Sequence, residues 1–197
     1  MKKKGFTLIE ILIAIAIVAI VMTALSNFFL TNYNTLNKVN KQIDLQSEGE
    51  KGIERIVRSA IESKGIIEVR IEGQDLNLEE HTIAENIDRI VFKTIDINGN
   101  DIYEIFEVAD NRLWHGTVPA NEENTDQTIG EVVIDKDGNL SADEIIGEIA
   151  AEDINHINLS ASANKTLKDA DGVEVEIHLS KGNESAVVNS EVCFRNK

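Results

Sequence analysis

Ile11-Leu12-Ile13-Ala14-Ile15-Ala16-Ile17-Val18-Ala19-Ile20-Val21-Met22 is an unbroken run of twelve apolar residues, and its reading decides the fold. Outward from it, Thr23 interrupts gently before Ala24 and Leu25, and Phe28, Phe29 and Leu30 follow Ser26 and Asn27. From Phe6 to Leu30 the segment carries a single charge, Glu10, and is long enough to cross a bilayer as a helix. Lys2, Lys3 and Lys4 stand before it, which predicts a cytoplasmic start and an outward-facing remainder. A secretory signal peptide has the same basic start and apolar run. Two features argue against one here. Glu10 sits inside the run, where a carboxylate is expensive without a compensating partner. Thr23-Ala24-Leu25-Ser26 is also a poor cleavage site, followed by more apolar residues instead of a compositional break.

Beyond Leu30 the apolar density falls but helical spacing persists in Tyr33, Leu36, Val39 and Ile43. It returns in Ile53, Ile56, Val57, Ala60 and Ile61. Gly49 and Gly52 weaken the middle and mark the expected place for a bend or short break. A helix continuous from Leu8 to Ile61 measures on the order of 80 Å, too long to bury in one small globule. Half in a membrane and half as the spine of an exported head resolves that conflict. Ser63-Lys64-Gly65 reads as the stop.

The rest of the chain reads as strands and turns. Ile66 to Ile71, Ile90 to Ile97, Ile102 to Val108 and Arg112 to His115 are strand candidates. Asn98-Gly99-Asn100-Asp101 closes the second and third of these into a hairpin. Pro119 to Thr128 is a polar, acidic loop; Glu131 to Ile134 and Ile154 to Leu159 are weaker strands. Val173 to Leu179 and Ala186 to Phe194 form a terminal pair around Lys181-Gly182-Asn183. Thr82 to Phe92 echoes Ile149 to Leu159, and in both the pattern suggests a helical turn entering a strand. The expected class is α+β: a long N-terminal helix, membrane-spanning in its first half, packed on a head of antiparallel β-strands.

Length and charge narrow the function. The 197 residues suffice for one membrane segment and one modest domain with its own core. The formal charge is −16, from 19 basic and 35 acidic residues, and three of the lysines precede the apolar run. Such a surface repels polyphosphate backbones, so no general nucleic-acid binding is expected. Cys193 is the single cysteine, which rules out an intramolecular disulfide; between Val192 and Phe194 it reads as a small buried hydrophobe. Trp114 reads as a core or sheet-edge aromatic.

Gly5-Phe6-Thr7-Leu8-Ile9-Glu10, behind a short basic leader and ahead of the apolar run, resembles the signal of type IV prepilins and type II secretion pseudopilins. The C-terminal strand, ending Val192-Cys193-Phe194-Arg195-Asn196 after the amphipathic Val173 to Leu179, is similar to minor subunits of the W-like pilin or J-like pseudopilin class. The resemblance implies cleavage by a prepilin peptidase between Gly5 and Phe6 and methylation of the new Phe6 amine. It implies that Glu10 registers subunits by pairing with a neighbour's Phe6 amine, with pairing inside its own subunit or protonation in lipid as the alternatives. The organisation that follows is a cleaved leader at 1–5, a transmembrane and filament-core helix at 6–30, an amphipathic extension at 31–62 and an exported β-rich head at 63–197. Implied partners are the peptidase, other major and minor pilins or pseudopilins, and the inner-membrane assembly platform.

Other chemistry is sparse. Asp135, Asp137, Asn139, Ser141 and Asp143 fit the opening positions of a calcium loop, but Leu140 stands where glycine is needed and Ile146 where a bidentate glutamate is needed. An acidic turn without metal is the better reading, with calcium the low-ranked candidate and no other cofactor expected. Asp96 to Asp101 is oxygen-rich but suits a hairpin turn. His81, His115, His156 and His178 are scattered, and no nucleophile elbow, phosphate loop or zinc cluster occurs. The chain therefore reads as a non-enzymatic assembly subunit. The competing classes are a pilus-displayed binding module, which contacts a surface, a secreted substrate or DNA, and a plain membrane-anchored extracellular protein.

Overall fold

A computed structural model of the protein describes residues 7–120, 128–130 and 144–195. One helix, α1, runs without interruption from Leu8 to Glu62. It stops where Ser63 turns its hydroxyl onto the Ala60 carbonyl (2.8 Å) and accepts the Gly65 N–H (3.2 Å). The chain forms two compact units, Met1–Lys41 and Gln42–Lys197.

In the first unit every described side chain is exposed, including all the large apolar ones from Leu8 to Val39. This is the one helix among the described residues long and apolar enough to cross a membrane. Left in water, that surface is unfavourable at about 25 cal/mol per Å², so the segment is built for an apolar surrounding.

In the second unit the end of α1 lies on a sheet. Leu45, Gly49, Gly52, Ile53, Ile56, Ser59 and Ala60 are buried, a stripe at three- and four-residue spacing. The two glycines do not break the helix. They let it approach the sheet: a Cβ on Gly49 would lie 2.5 Å from Val188 Cγ2, and one on Gly52 3.1 Å from Ile177 Cδ1. A break is therefore absent at these glycines because packing against β-strands supplies what helix propensity lacks.

The strands are β1 (Ile66–Ile71), β2 (Gln74–Asp75), β3 (Ile83–Ile95), β4 (Asp101–Ala109) and β5 (Arg112–Pro119). They continue as β6 (Thr128–Gly130), β7 (Glu144–Glu152), β8 (Ile154–Ala161), β9 (Gly172–Lys181) and β10 (Glu184–Cys193). The order is β10-β9-β8-β3-β4-β5-β7-β6, with β1 on β3 and β2 on β1. Pairing is antiparallel except between β6 and β7, which run parallel, a departure from the purely antiparallel expectation. The fold is α+β, with the helix packed on the sheet.

Three hairpins follow local chemistry. Asp96 and Asn100 bracket the β3–β4 turn, where the Asp96 carboxylate accepts the N–H groups of Asn98 (2.8 Å) and Asn100 (2.7 Å). Asp110 and Asn111, both with positive φ (52° and 59°), make the two-residue β4–β5 turn. Gly182, at φ 69°, opens the two-residue β9–β10 turn.

Two long strands change partners. β3 pairs with β8 over Ile83 to Ile87 and with β4 over Arg89 to Ile95. β7 pairs with β5, and after Asp153 the chain continues as β8 against β9 and β3. The helical turns expected near residues 82–89 and 149–153 are thus extended strand, because cross-strand pairing outweighs the local helix preference of Ala-Glu stretches. β7 itself had no counterpart in the sequence reading, while the Glu131 to Ile134 candidate lies outside the described residues.

The main core joins α1 to one face of the sheet, through Ile87, Ile90, Phe92, Phe106, Leu113, Ile154, Ile157, Leu159 and Ile177 among others. On the opposite face Val91, Ile105, Trp114 and Val118 form a second cluster with Tyr103 and Ala109, which places Trp114 as a core aromatic. Cys193 is exposed, contrary to expectation. Period two decides it: Val192 and Phe194 turn inward, so Cys193 turns out.

Candidate functional site

The N-terminal site is built on the first turn of α1. Gly5 and Phe6 lie outside the described residues, as do Asp135, Asp137, Asn139, Ser141 and Asp143 of the calcium candidate. Glu10 is described, and its carboxylate folds back onto Thr7. Glu10 Oε2 accepts both the Thr7 N–H and the Thr7 hydroxyl at 2.8 Å, and the Glu10 N–H reaches Thr7 Oγ1 at 3.4 Å. This is a reciprocal capping box, legible as Thr-x-x-Glu but overlooked in the sequence reading. It satisfies N–H groups that a helix start leaves bare and gives the carboxylate partners inside its own chain.

Within the second unit, α1 is tied to the sheet by a polar cluster. Arg55 pairs with Glu148 and places Nη2 3.3 Å from His115 Nδ1. Arg55 has only N–H groups to offer, so His115 Nδ1 accepts and Nε2 carries the proton, facing Glu104 Oε2 at 3.4 Å. Ser59 donates its hydroxyl to the same carboxylate oxygen. Burial pushes the Glu104 carboxyl up, but hydrogen bonds from His115 and Ser59 outweigh it and hold the group below its ordinary range. The His115 ring rests against Phe106 at 4.7 Å. Serine, histidine and glutamate meet here, yet Ser59 donates to the carboxylate and not to the imidazole, so the arrangement does not activate a nucleophile. It is a clasp between helix and sheet.

A second polar group lies across β8 and β9. His156 and His178 face each other and stack at 4.2 Å with 20° between planes. Asn158 Nδ2 reaches Glu176 Oε2 at 3.1 Å and His178 Nε2 at 3.0 Å. Burial and the neighbouring His178 hold the His156 pKa below the ordinary imidazole value. Among the described residues no group of three His, Cys, Asp or Glu side chains could hold a metal ion. In the Asp96 to Asp101 turn, Asp96 spends its carboxylate on Asn98 and Asn100, and Asp101 pairs with Lys64 (2.8 Å) and Lys93 (2.7 Å). That turn is held together by its own side chains and by Lys64 and Lys93.

Residues 1–26 match a family model described as the prokaryotic N-terminal methylation motif. The match spans the basic start and the first part of the apolar helix, and it supports a protein of the type IV pilin or pseudopilin kind. Such a signal implies processing by a prepilin peptidase and assembly with other pilins, and the family is structural and not catalytic. The exposed apolar helix is consistent with a single-pass membrane anchor. No curated protein matches the chain.

Proposed function

We propose that the chain is a minor subunit of a type IV pilus or type II secretion pseudopilus, of the W-like or J-like class, which helps initiate or cap the filament. One observation carries the reading: a methylation motif at residues 1–26 leads directly into a wholly exposed apolar helix that continues into the spine of a β-rich head. Cleavage falls between Gly5 and Phe6, and the Phe6 amine is methylated. The helix anchors the chain in the cytoplasmic membrane with its N-terminus inside, and the same helix packs in the filament core after extraction. Transfer from lipid to a helical bundle keeps the apolar surface covered throughout. Glu10 leaves its Thr7 cap to meet the Phe6 amine of a neighbour, exchanging hydrogen bonds for a charge pair in a dry surrounding. The broad acidic head suits an exposed position on the filament.

Intact mass and N-terminal sequence of protein from native membranes test this, with and without the cell's prepilin peptidase. A mature start at Phe6 with one added methyl group, lost without the peptidase, is the expected result. A start at Met1, or cleavage beyond the apolar run, overturns the filament assignment.

A further inference from the structure

The sheet ends very differently at its free edges. β2 has two residues, a short end of the kind that resists pairing with another chain. β10 has ten, in uninterrupted register with β9 from Glu184–Lys181 to Cys193–Gly172. Among the described residues no strand pairs with its outer edge. It contains no lysine, arginine or proline, and no bulge breaks it. Glu184 and Glu191 are its charged residues, and the lysine, proline and bulge that commonly protect a long edge strand are missing here.

The two-residue turn at Gly182-Asn183 closes on Lys181 and Glu184 as a hydrogen-bonded pair. Ser185, Val187, Asn189 and Glu191 therefore turn their N–H and C=O groups away from β9. The same four residues have exposed side chains, and Val187 is 52% exposed. The strand's far end is fixed: the Phe194 N–H donates to the Asp171 carbonyl (2.8 Å) and the Arg195 N–H to the Ile61 carbonyl (3.1 Å). The edge is thus held ready as a template.

Charge selects the occupant. Glu191 lies across from Glu174 on β9, and Glu176 lies across from Asn189, so one rim of the template is acidic. A second copy of β10 offers no basic residue to set against Glu191 in any register, and the whole chain is strongly acidic. Like charges brought together in this way oppose pairing. We propose that the outer edge of β10 is a strand-pairing site for an extended segment of a partner protein that alternates basic and apolar side chains. The partner's backbone continues the ladder on Val187, Asn189 and Glu191, a basic side chain sits beside Glu191, and an apolar one covers Val187. This inference does not rest on the filament reading.

The test uses the detergent-solubilised full chain and a fluorescent octapeptide of alternating lysine and valine. The same peptide methylated on alternate backbone nitrogens keeps the charge but cannot form the ladder. Binding of the plain peptide is expected to weaken by about tenfold or more on that methylation, the cost of one or two ladder hydrogen bonds. Val187→Pro removes an outward N–H, and Asn189→Lys, kept as a second variant in case the proline disturbs folding, adds a repelling charge; each is expected to cause a similar loss. Equal binding of the methylated peptide, unchanged binding to both variants, or no binding to the unaltered chain overturns the proposal. So does a concentration-dependent dimer abolished by these substitutions without peptide binding, which makes a second copy the occupant.

Discussion

Asn86 and Asp153 hold nearly the same left-handed backbone, at φ 55° and 59°, and each stands where a long strand changes partners. The β3 residues on either side of Asn86 pair with β8, Ala84 opposite Leu159 and Ile87 opposite Ile157, and the Asn86 N–H donates to Asn158 Oδ1 at 3.0 Å. The faint sequence echo between Thr82 to Phe92 and Ile149 to Leu159 is thus a repeated backbone device. Asn and Asp suit it because they tolerate this conformation better than other side chains.

Substituting these two positions separates backbone conformation from side-chain contacts. Asn86→Val and Asp153→Val are each expected to lower head stability by about 1–2 kcal/mol, since a β-branched residue resists positive φ. Asn86→Gly should cost clearly less. Denaturant unfolding of the detergent-solubilised chain measures the difference; equal losses for valine and glycine would place the effect in the Asn158 contact instead.

At Gly49 two effects oppose each other. Alanine gains about 1 kcal/mol of helix propensity. Its Cβ, however, falls 2.5 Å from Val188 Cγ2 and 2.9 Å from Leu179 Cδ1, so these side chains or the strands that carry them must shift. Overpacking of this kind costs about 1–3 kcal/mol, and Gly49→Ala is expected to be net destabilising. Val188→Ala added to Gly49→Ala should recover part of the loss, which a double-mutant cycle by thermal unfolding will read.

The stacked histidines give the head a pH dependence of known sign. His156 has its pKa lowered, by burial first and by His178 second, so the unfolded chain takes up its proton at higher pH than the folded one. Stability is therefore lost as pH falls from about 6.5, the ordinary imidazole value, towards the lowered folded value. Glu176, held below its ordinary range by hydrogen bonds from Asn158 and then His178, adds a further loss in the carboxylate window at lower pH. His156→Phe retains a stacking ring without the charge, and unfolding curves between pH 7 and 5 should flatten in that variant. An unchanged slope would remove His156 from the account.

Thr7 is expected to matter to the start of α1 through its cap. Thr7→Ala removes the hydroxyl that the Glu10 N–H and carboxylate both engage, at a cost of about 0.5–2 kcal/mol to the first turn. Thr7→Ser should restore it. Amide exchange of residues 8–11 in micelles reports the fraying directly, and identical exchange in the alanine variant would show that the box contributes nothing there.

The sequence by itself determined the long apolar helix and its start. An apolar run of this length, its basic flank and its buried-in-the-run carboxylate are local properties, as are turns at Asn98-Gly99 and Gly182-Asn183 whose conformations a few side chains dictate. Only the tertiary structure decided what the glycines of α1 are for, because a bend and a close approach look alike until Val188 and Ile177 are seen across from them. The same holds for β7, where Glu144–Glu152 carries no strand signature of its own and is extended because β5 pairs with it. Arg55, Ser59, Glu104, His115 and Glu148 come from a helix and three strands, and nothing in their spacing announces that they meet. That β10, among the described residues, ends the sheet with a long open edge is likewise a matter of strand order. Long-range pairing sets that order, and no single stretch of sequence contains it.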